Sequence, residues 1–187
     1  MRIVSLCPSI TESLVALGLG GSLVGVTRYC VHPREALEGI PRVGGTKNPD
    51  VAAIAALEPD LVFCNAEENR AVDVAELSRR HRVDVSHPTR VADVPVMLRR
   101  IGELTGTEAA AEGWARAVEE RLATASRQPR VSFAYLVWKG PFMAVAGGTY
   151  ISDLVETFGG RNVFPAGSGP WPKTGEEELR ALSPELL

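Results

Sequence analysis

The sequence predicts an α/β protein of two related lobes with mostly parallel sheets, set apart by a helical segment. Three observations predict it. Short β-rich runs alternate with helical patterns over residues 1–92, no strand pattern occurs over 93–126, and two stretches of the first part recur in order in the last part. Strand–helix alternation favours a parallel sheet covered by helices on both faces.

The first part reads element by element. Strands are expected at Ile3–Leu6, Val24–Thr27, Arg42–Val43, Leu61–Cys64 and Val83–Val85. Ser9 is a candidate helix cap, with Ile10, Leu14 and Leu17 on the apolar face and Glu12 placed to complete a capping box. Gly18 and Gly20 then end that helix. Asp50 is expected to cap a helix over 51–57 that Pro59 stops, and Ala71–Arg80 forms a third helix. In the strandless stretch, Asp93 is expected to cap a helix carrying Met97, Leu98, Ile101 and Leu104. Thr107 then opens a second helix to Ser126, with Trp114, Val118 and Leu122 on one stripe. At about 1.5 Å per residue such a helix reaches roughly 30 Å, the width of a small domain, and acts as a stiff spacer. Strands resume at Val131–Trp138 and Phe142–Ala146, followed by a helix over 149–158, a short strand at Asn162–Val163 and a helix over 175–182. The resulting division is 1–92, 93–127 and 128–187.

The internal echoes carry the two-lobe reading. Ile10-Thr11-Glu12-Ser13-Leu14-Val15 before Gly20-Gly21 is matched by Tyr150-Ile151-Ser152-Asp153-Leu154-Val155 before Gly159-Gly160. Leu57-Glu58-Pro59-Asp60-Leu61-Val62 is matched by Leu182-Ser183-Pro184-Glu185-Leu186-Leu187. The first copy leads into a strand and the second halts at its opening, so the second lobe reads as truncated.

A formal net charge of −3 and the lack of a basic stretch beyond Arg79–Arg82 argue against a nucleic-acid surface. No apolar run is long enough to span a bilayer. The chain opens directly on a strand, so no signal peptide is expected as written. The three cysteines, Cys7, Cys30 and Cys64, share no metal-ligand spacing and read as reduced, partly buried thiols.

Ligands of open parallel sheets sit outside the carboxyl ends of the strands. Those ends hold Cys7-Pro8-Ser9, Arg28-Tyr29-Cys30-Val31-His32-Pro33, Gly44–Lys47, Asn65–Asn69 and Ser86–Thr89. In the last part they are Trp138-Lys139-Gly140-Pro141-Phe142 and the Trp171-Pro172 loop. Two of the three tryptophans and Phe142 at loop tips suit a large, flat, partly apolar ligand. No dinucleotide fingerprint, Walker loop or nucleophile elbow occurs, so no catalytic residue and no resident cofactor or metal is assigned. Two alternatives stay open. One is an intracellular cofactor-handling enzyme using Cys7, Cys30 or His32; the other is direct metal-ion capture by His32, His87 and Glu67.

The opening Arg2-Ile3-Val4-Ser5-Leu6-Cys7-Pro8-Ser9-Ile10-Thr11-Glu12 and the run Ala56–Val62 resemble the periplasmic binding proteins for vitamin B12, iron-siderophores and haem, the substrate-binding subunits of ABC importers. Asn65-Ala66-Glu67, Pro141-Phe142, Gly159–Phe164 and Pro170-Trp171-Pro172 extend the likeness over nearly the whole chain, closest to the vitamin B12-binding branch. The resemblance implies two Rossmann-like lobes joined by a single long backbone helix, with a corrinoid or another metal chelate in the cleft between them. It implies ligand contacts from Phe142, Trp171 and the Tyr29 loop, and a contact of Glu67 with the transporter's permease subunits. Trp138 and His32 join the expected ligand set from their loops. A periplasmic location follows from the resemblance, beside a cytoplasmic one for the chain as written. The likeness departs where that branch carries further first-lobe tryptophans: here stand Gly45-Thr46-Lys47, Cys64 and Asp84–Ser86, a more polar wall.

Overall fold

A computed structural model of the chain describes residues 1–125, 131–167 and 169–187. The chain divides into two compact units, Met1–His87 with Leu98–Glu112, and Pro88–Met97 with Gly113–Leu187. The expected helix end at Ser126 and the boundary after 127 lie outside the described residues.

The first unit is built on four parallel strands, β1 (Ile3–Ser5), β2 (Leu23–Val26), β3 (Leu61–Asn65) and β4 (Val83–Ser86), in the order β2-β1-β3-β4. Every residue of β1 and β3 is buried, as expected of inner strands covered on both faces. Val4, Leu6, Val43, Ile54, Val62, Cys64 and Leu77 form the core on which α2 (Val51–Ala56) and α3 (Ala71–Leu77) pack. Asp50 caps α2 as expected, its carboxylate accepting the Ala53 N–H at 2.9 Å. The expected strand Arg42–Val43 is reduced to a parallel bridge beside Val26.

Helix α1 (Pro8–Ala16) departs from expectation at its start. Cys7, not Ser9, is the N-cap, and no side chain caps the helix. Pro8 takes the first turn, where its fixed φ suits the helix and its missing N–H costs nothing. The start therefore moves toward the N-terminus and the Ser9–Glu12 capping box does not form. α3 is also shorter than expected: Ser78 is its C-cap, and Arg79 and Arg80 continue only as a turn.

Helices α4 (Val94–Thr105) and α5 (Glu108–Thr124) occupy the strandless stretch. Asp93 does not cap α4 as expected. It ends a 3-10 turn, Val91–Asp93, and its carboxylate reaches back to the N–H groups of Thr89 and Arg90, both at 2.9 Å.

In the second unit the expected single strand Val131–Trp138 is two strands in different sheets. β5 (Val131–Phe133) pairs in parallel with β8 (Gly160–Asn162). β6 (Leu136–Trp138), β7 (Phe142–Ala144) and β9 (Lys173–Thr174) make an antiparallel sheet. The backbone changes partners at the junction: Ala134 donates to Leu186 O at 2.9 Å, whereas Tyr135 O accepts from Val145 at 2.8 Å. Ala134, Ala144, Ala146, Phe164 and Leu179 form the core under this sheet. Helix α6 (Tyr150–Thr157) is capped by Thr149, and α7 (Glu176–Leu182) opens at Gly175.

The echoes in sequence are echoes in structure. Ile3 pairs in parallel with Leu61, and Phe133 with Leu186. Glu58 and Ser183, each just before the proline of its motif, adopt left-handed φ values of 44° and 45°.

Candidate functional site

Because β1–β4 are parallel, their carboxyl ends share one edge of the first unit, and Tyr29 and Glu67 sit on loops leaving it. The loop after β2 is held from below. Thr27, fully buried, has its hydroxyl 3.1 Å from the Cys30 thiol and accepting the Tyr29 N–H at 3.3 Å. Arg42 donates to Cys30 O at 2.7 Å. On this base Tyr29 is 52% exposed, with the Arg28 guanidinium 5.2 Å from its ring centroid. His32 is exposed on the continuation of the loop and lines an open hollow with Val31, Arg34, Leu37, Ile40 and Arg42. Tyr29 does not line that hollow.

Glu67 is exposed on the turn after β3. Asn65 Oδ1 accepts the N–H groups of Glu67 and Glu68 at 2.9 and 3.1 Å, an Asx turn that fixes the Glu67 backbone. The Lys47 ammonium donates to Glu67 O. His87 is exposed beyond β4. Among the described residues no three His, Cys, Asp or Glu side chains gather as a metal set, so His32, His87 and Glu67 are not brought together.

The thiols are buried. The Cys30 sulfur meets the hydroxyls of Thr11 at 3.2 Å and Thr27, and the Cys7 sulfur that of Ser9 at 3.3 Å. Burial pushes the Cys7 thiol up, and pushes Cys64 up to about 12, with Cys7 and Asp84 adding to the latter. A raised thiol pKa keeps the sulfur protonated and weakly nucleophilic.

In the second unit Trp138 and Phe142 flank a hairpin turn of an antiparallel sheet. This corrects the expectation that they lie on a carboxyl-edge loop of a parallel one. Trp138 pairs with Met143, and Phe142 with Thr174. Neighbouring residues of a strand alternate faces, so the ladder turns Trp138 and Phe142 to opposite sides of this sheet. Trp138 is 62% exposed, while the half-buried Phe142 packs against the unit's alanine-lined core. Trp171 is half-buried between Pro170 and Pro172, whose carbonyls accept the N–H groups of Ala146 at 3.1 Å and Ala144 at 2.9 Å.

Two polar residues that the sequence places on these loops, but to which it assigns no role, organise the first-unit edge. Asn69 is buried, and Arg28 stacks beside Tyr29. The available signal was a polar Asn-x-x-x-Asn loop following a wholly apolar strand.

No helix among the described residues is long and apolar enough to cross a membrane. The family model for periplasmic binding proteins matches residues 3–187. The vitamin B12-binding protein of Vibrio campbellii is 28% identical over 195 residues, an alignment covering all of this chain and 69% of that protein. Among solved structures, the periplasmic vitamin B12-binding protein of Vibrio cholerae superposes with a TM-score of 0.88 at 26% identity, over 98% of this chain and 73% of that one. A periplasmic haem-binding protein from Pseudomonas aeruginosa gives a TM-score of 0.85 at 25% identity, over 98% of this chain and 69% of that one.

Proposed function

The chain belongs to the periplasmic binding protein family, and from that premise we propose that it is the substrate-binding subunit of an ABC importer. Its ligand is a corrinoid such as cobalamin, or a related metal chelate such as haem or an iron-siderophore. It works on the periplasmic side and hands the ligand to the permease without chemical change. Tyr29 and His32 in the first unit, and Trp138, Phe142 and Trp171 in the second, are the proposed ligand contacts. Glu67 is the proposed permease contact. In this reading segments 1–92 and 128–187 serve as the ligand-holding lobes, and 93–127 connects them.

The observation that carries the reading is the exposure of Trp138 (62%) at the end of β6 and of Tyr29 (52%) on the loop after β2. Two large rings left in water lose the burial that rewards aromatic side chains elsewhere, and a flat apolar partner restores it. The relatives that match along the whole chain are named for binding vitamin B12 and haem, both large flat metal chelates. Titration of intrinsic tryptophan fluorescence with aquocobalamin and haemin tests it. Saturable quenching by either supports the reading; unchanged emission with both, in a protein that melts cooperatively, rejects it.

A further inference from the structure

At the carboxyl edge of the first unit three loops distant in sequence share one buried amide. Asn69 is 4% exposed. Its Nδ2 donates to Leu6 O at the end of β1, at 3.2 Å, and to Thr46 O, at 2.9 Å; its Oδ1 accepts the Asn65 N–H at 2.8 Å. Both amide hydrogens are used, and both partners are carbonyls that the sheet leaves unpaired. The Thr46 loop is also tied to the Glu67 turn by Lys47, which donates to Glu67 O. On its other side the same loop meets the proposed ligand contact. Asn48 Oδ1 accepts from Arg28 Nη2 at 3.4 Å, and a methyl group at Gly45 would stand 3.0 Å from that nitrogen and 3.2 Å from Tyr29 Cε2. Tyr29, the Gly44–Asn48 loop, Asn69 and Glu67 are thus one contiguous set of contacts within a single unit.

We infer that Asn69 is a positioning residue: it locks the ligand-side loop at Gly45–Lys47 to the turn presenting Glu67, so that the two surfaces move or hold as one. The inference rests on the reading of Tyr29 as a ligand contact and Glu67 as a permease contact. Its physical core is that a fully satisfied buried amide specifies one arrangement of its partners, while a half-satisfied one is costly.

Asn69→Asp separates the inference from mere stabilisation. The carboxylate keeps the acceptor for Asn65 but faces the Leu6 and Thr46 carbonyls with no donor. Two readouts are paired: affinity for aquocobalamin and haemin by fluorescence, and amide hydrogen exchange at Gly45 and Glu67. In Asn69→Asp, exchange at both amides rises together and affinity falls roughly tenfold or more, the scale of a buried polar group left unpaired. Leu77→Ala, a cavity in the core under α3, lowers the melting temperature and leaves affinity and both amides unchanged. Lys47→Met, an exposed change that leaves the core and the three Asn69 hydrogen bonds intact, leaves the Glu67 and Gly45 amides responding alike, both faster or both unchanged; a change at only one of them overturns the inference even if Asn69→Asp does not fold. Wild-type affinity in Asn69→Asp, or a rise at only one of the two amides, also overturns it. If the wild-type chain binds neither probe while both amides still respond together, the binding reading falls and the positioning role of Asn69 stands.

Discussion

The Glu185 carboxylate accepts the Ser132 N–H at 2.7 Å and the Ser132 hydroxyl at 2.8 Å, and the Glu185 N–H returns to that hydroxyl at 3.1 Å. One part of this clamp, the backbone N–H held by a carboxylate, also occurs in the first unit. Asp60 accepts the Arg2 N–H at 2.7 Å, at the equivalent place beside the inner strand β1. In each unit an acidic residue directly after a proline fastens the segment that follows it to the residue just before Ile3 of β1 or Phe133 of β5. The repeat therefore extends from the sequence pattern to this hydrogen bond.

The Glu185 clamp sets a pH dependence. Hydrogen bonds from the Ser132 backbone and then its hydroxyl, with Arg161 adding charge, hold the Glu185 carboxyl below the usual glutamate range. A carboxylate whose folded pKa is depressed stabilises the fold above its unfolded value of about 4.3, and that contribution is lost as pH falls through the folded value. Glu185→Gln should lower the melting temperature at pH 7, and the difference from wild type should shrink steadily below about pH 4. Thermal melts across this range decide it; a gap that stays constant with pH counts against the ionised clamp.

Gly160 offers a test of packing at the second half of the repeat. A methyl group there would lie 2.6 Å from Val155 Cγ1 and 2.8 Å from Phe133 Cδ1 and Cε1. Phe133 lies on the strand paired with β8 and is 2% exposed, so its ring has little room to yield. Gly160→Ala should destabilise by about 1–3 kcal/mol, the range for overpacking a filled core. The check is a urea midpoint shifted down with an unchanged slope.

The thiols give a third outcome. With Cys64 pushed up to about 12 by burial, beside Cys7 and Asp84, its thiolate is scarce at pH 8. Cys7 and Cys30 are buried as well, so native protein should react negligibly with iodoacetamide at pH 8, and all three cysteines should react once it is unfolded in guanidinium. Rapid labelling of Cys7 or Cys30 in the native state would revive a nucleophilic role for them.

Much of the first unit was legible because its cues are local. Apolar runs bounded by turn residues marked β1 to β4, and Asp50 capped α2 where expected. The misplaced features depend on partners far away in sequence. Nothing near Ala134 reveals that its N–H goes to Leu186 while the next carbonyl takes Val145, so Val131–Trp138 read as one strand. Asp93 looked like a cap for α4 because acidic residues favour that position, but the turn before it offered two nearer N–H groups. Asn69 looked like one more loop asparagine; its burial arises only when Leu6 and Thr46 fold over it. Trp138 and Phe142 were visible as residues, but their faces followed from the β6–β7 register, which a bulge between Leu136 and Trp138 resets.

That register separates two aromatic substitutions that look equivalent in sequence. Trp138 is 62% exposed and leaves the core untouched, so Trp138→Ala should change stability by less than about 0.5 kcal/mol. If its ring stacks on the ligand, the same change should weaken binding of aquocobalamin or haemin by roughly 1–3 kcal/mol. Phe142 packs against the core that holds Ala134, Ala144 and Phe164. Removing it opens a space that small alanine neighbours cannot fill, so Phe142→Ala should destabilise by about 2–4 kcal/mol, somewhat less than a fully buried ring would. Fluorescence titration and urea unfolding of both variants separate the roles. A stable Trp138→Ala with full affinity would remove Trp138 from the ligand surface, and a Phe142→Ala of wild-type stability would show that the ring is held for the ligand rather than for the core.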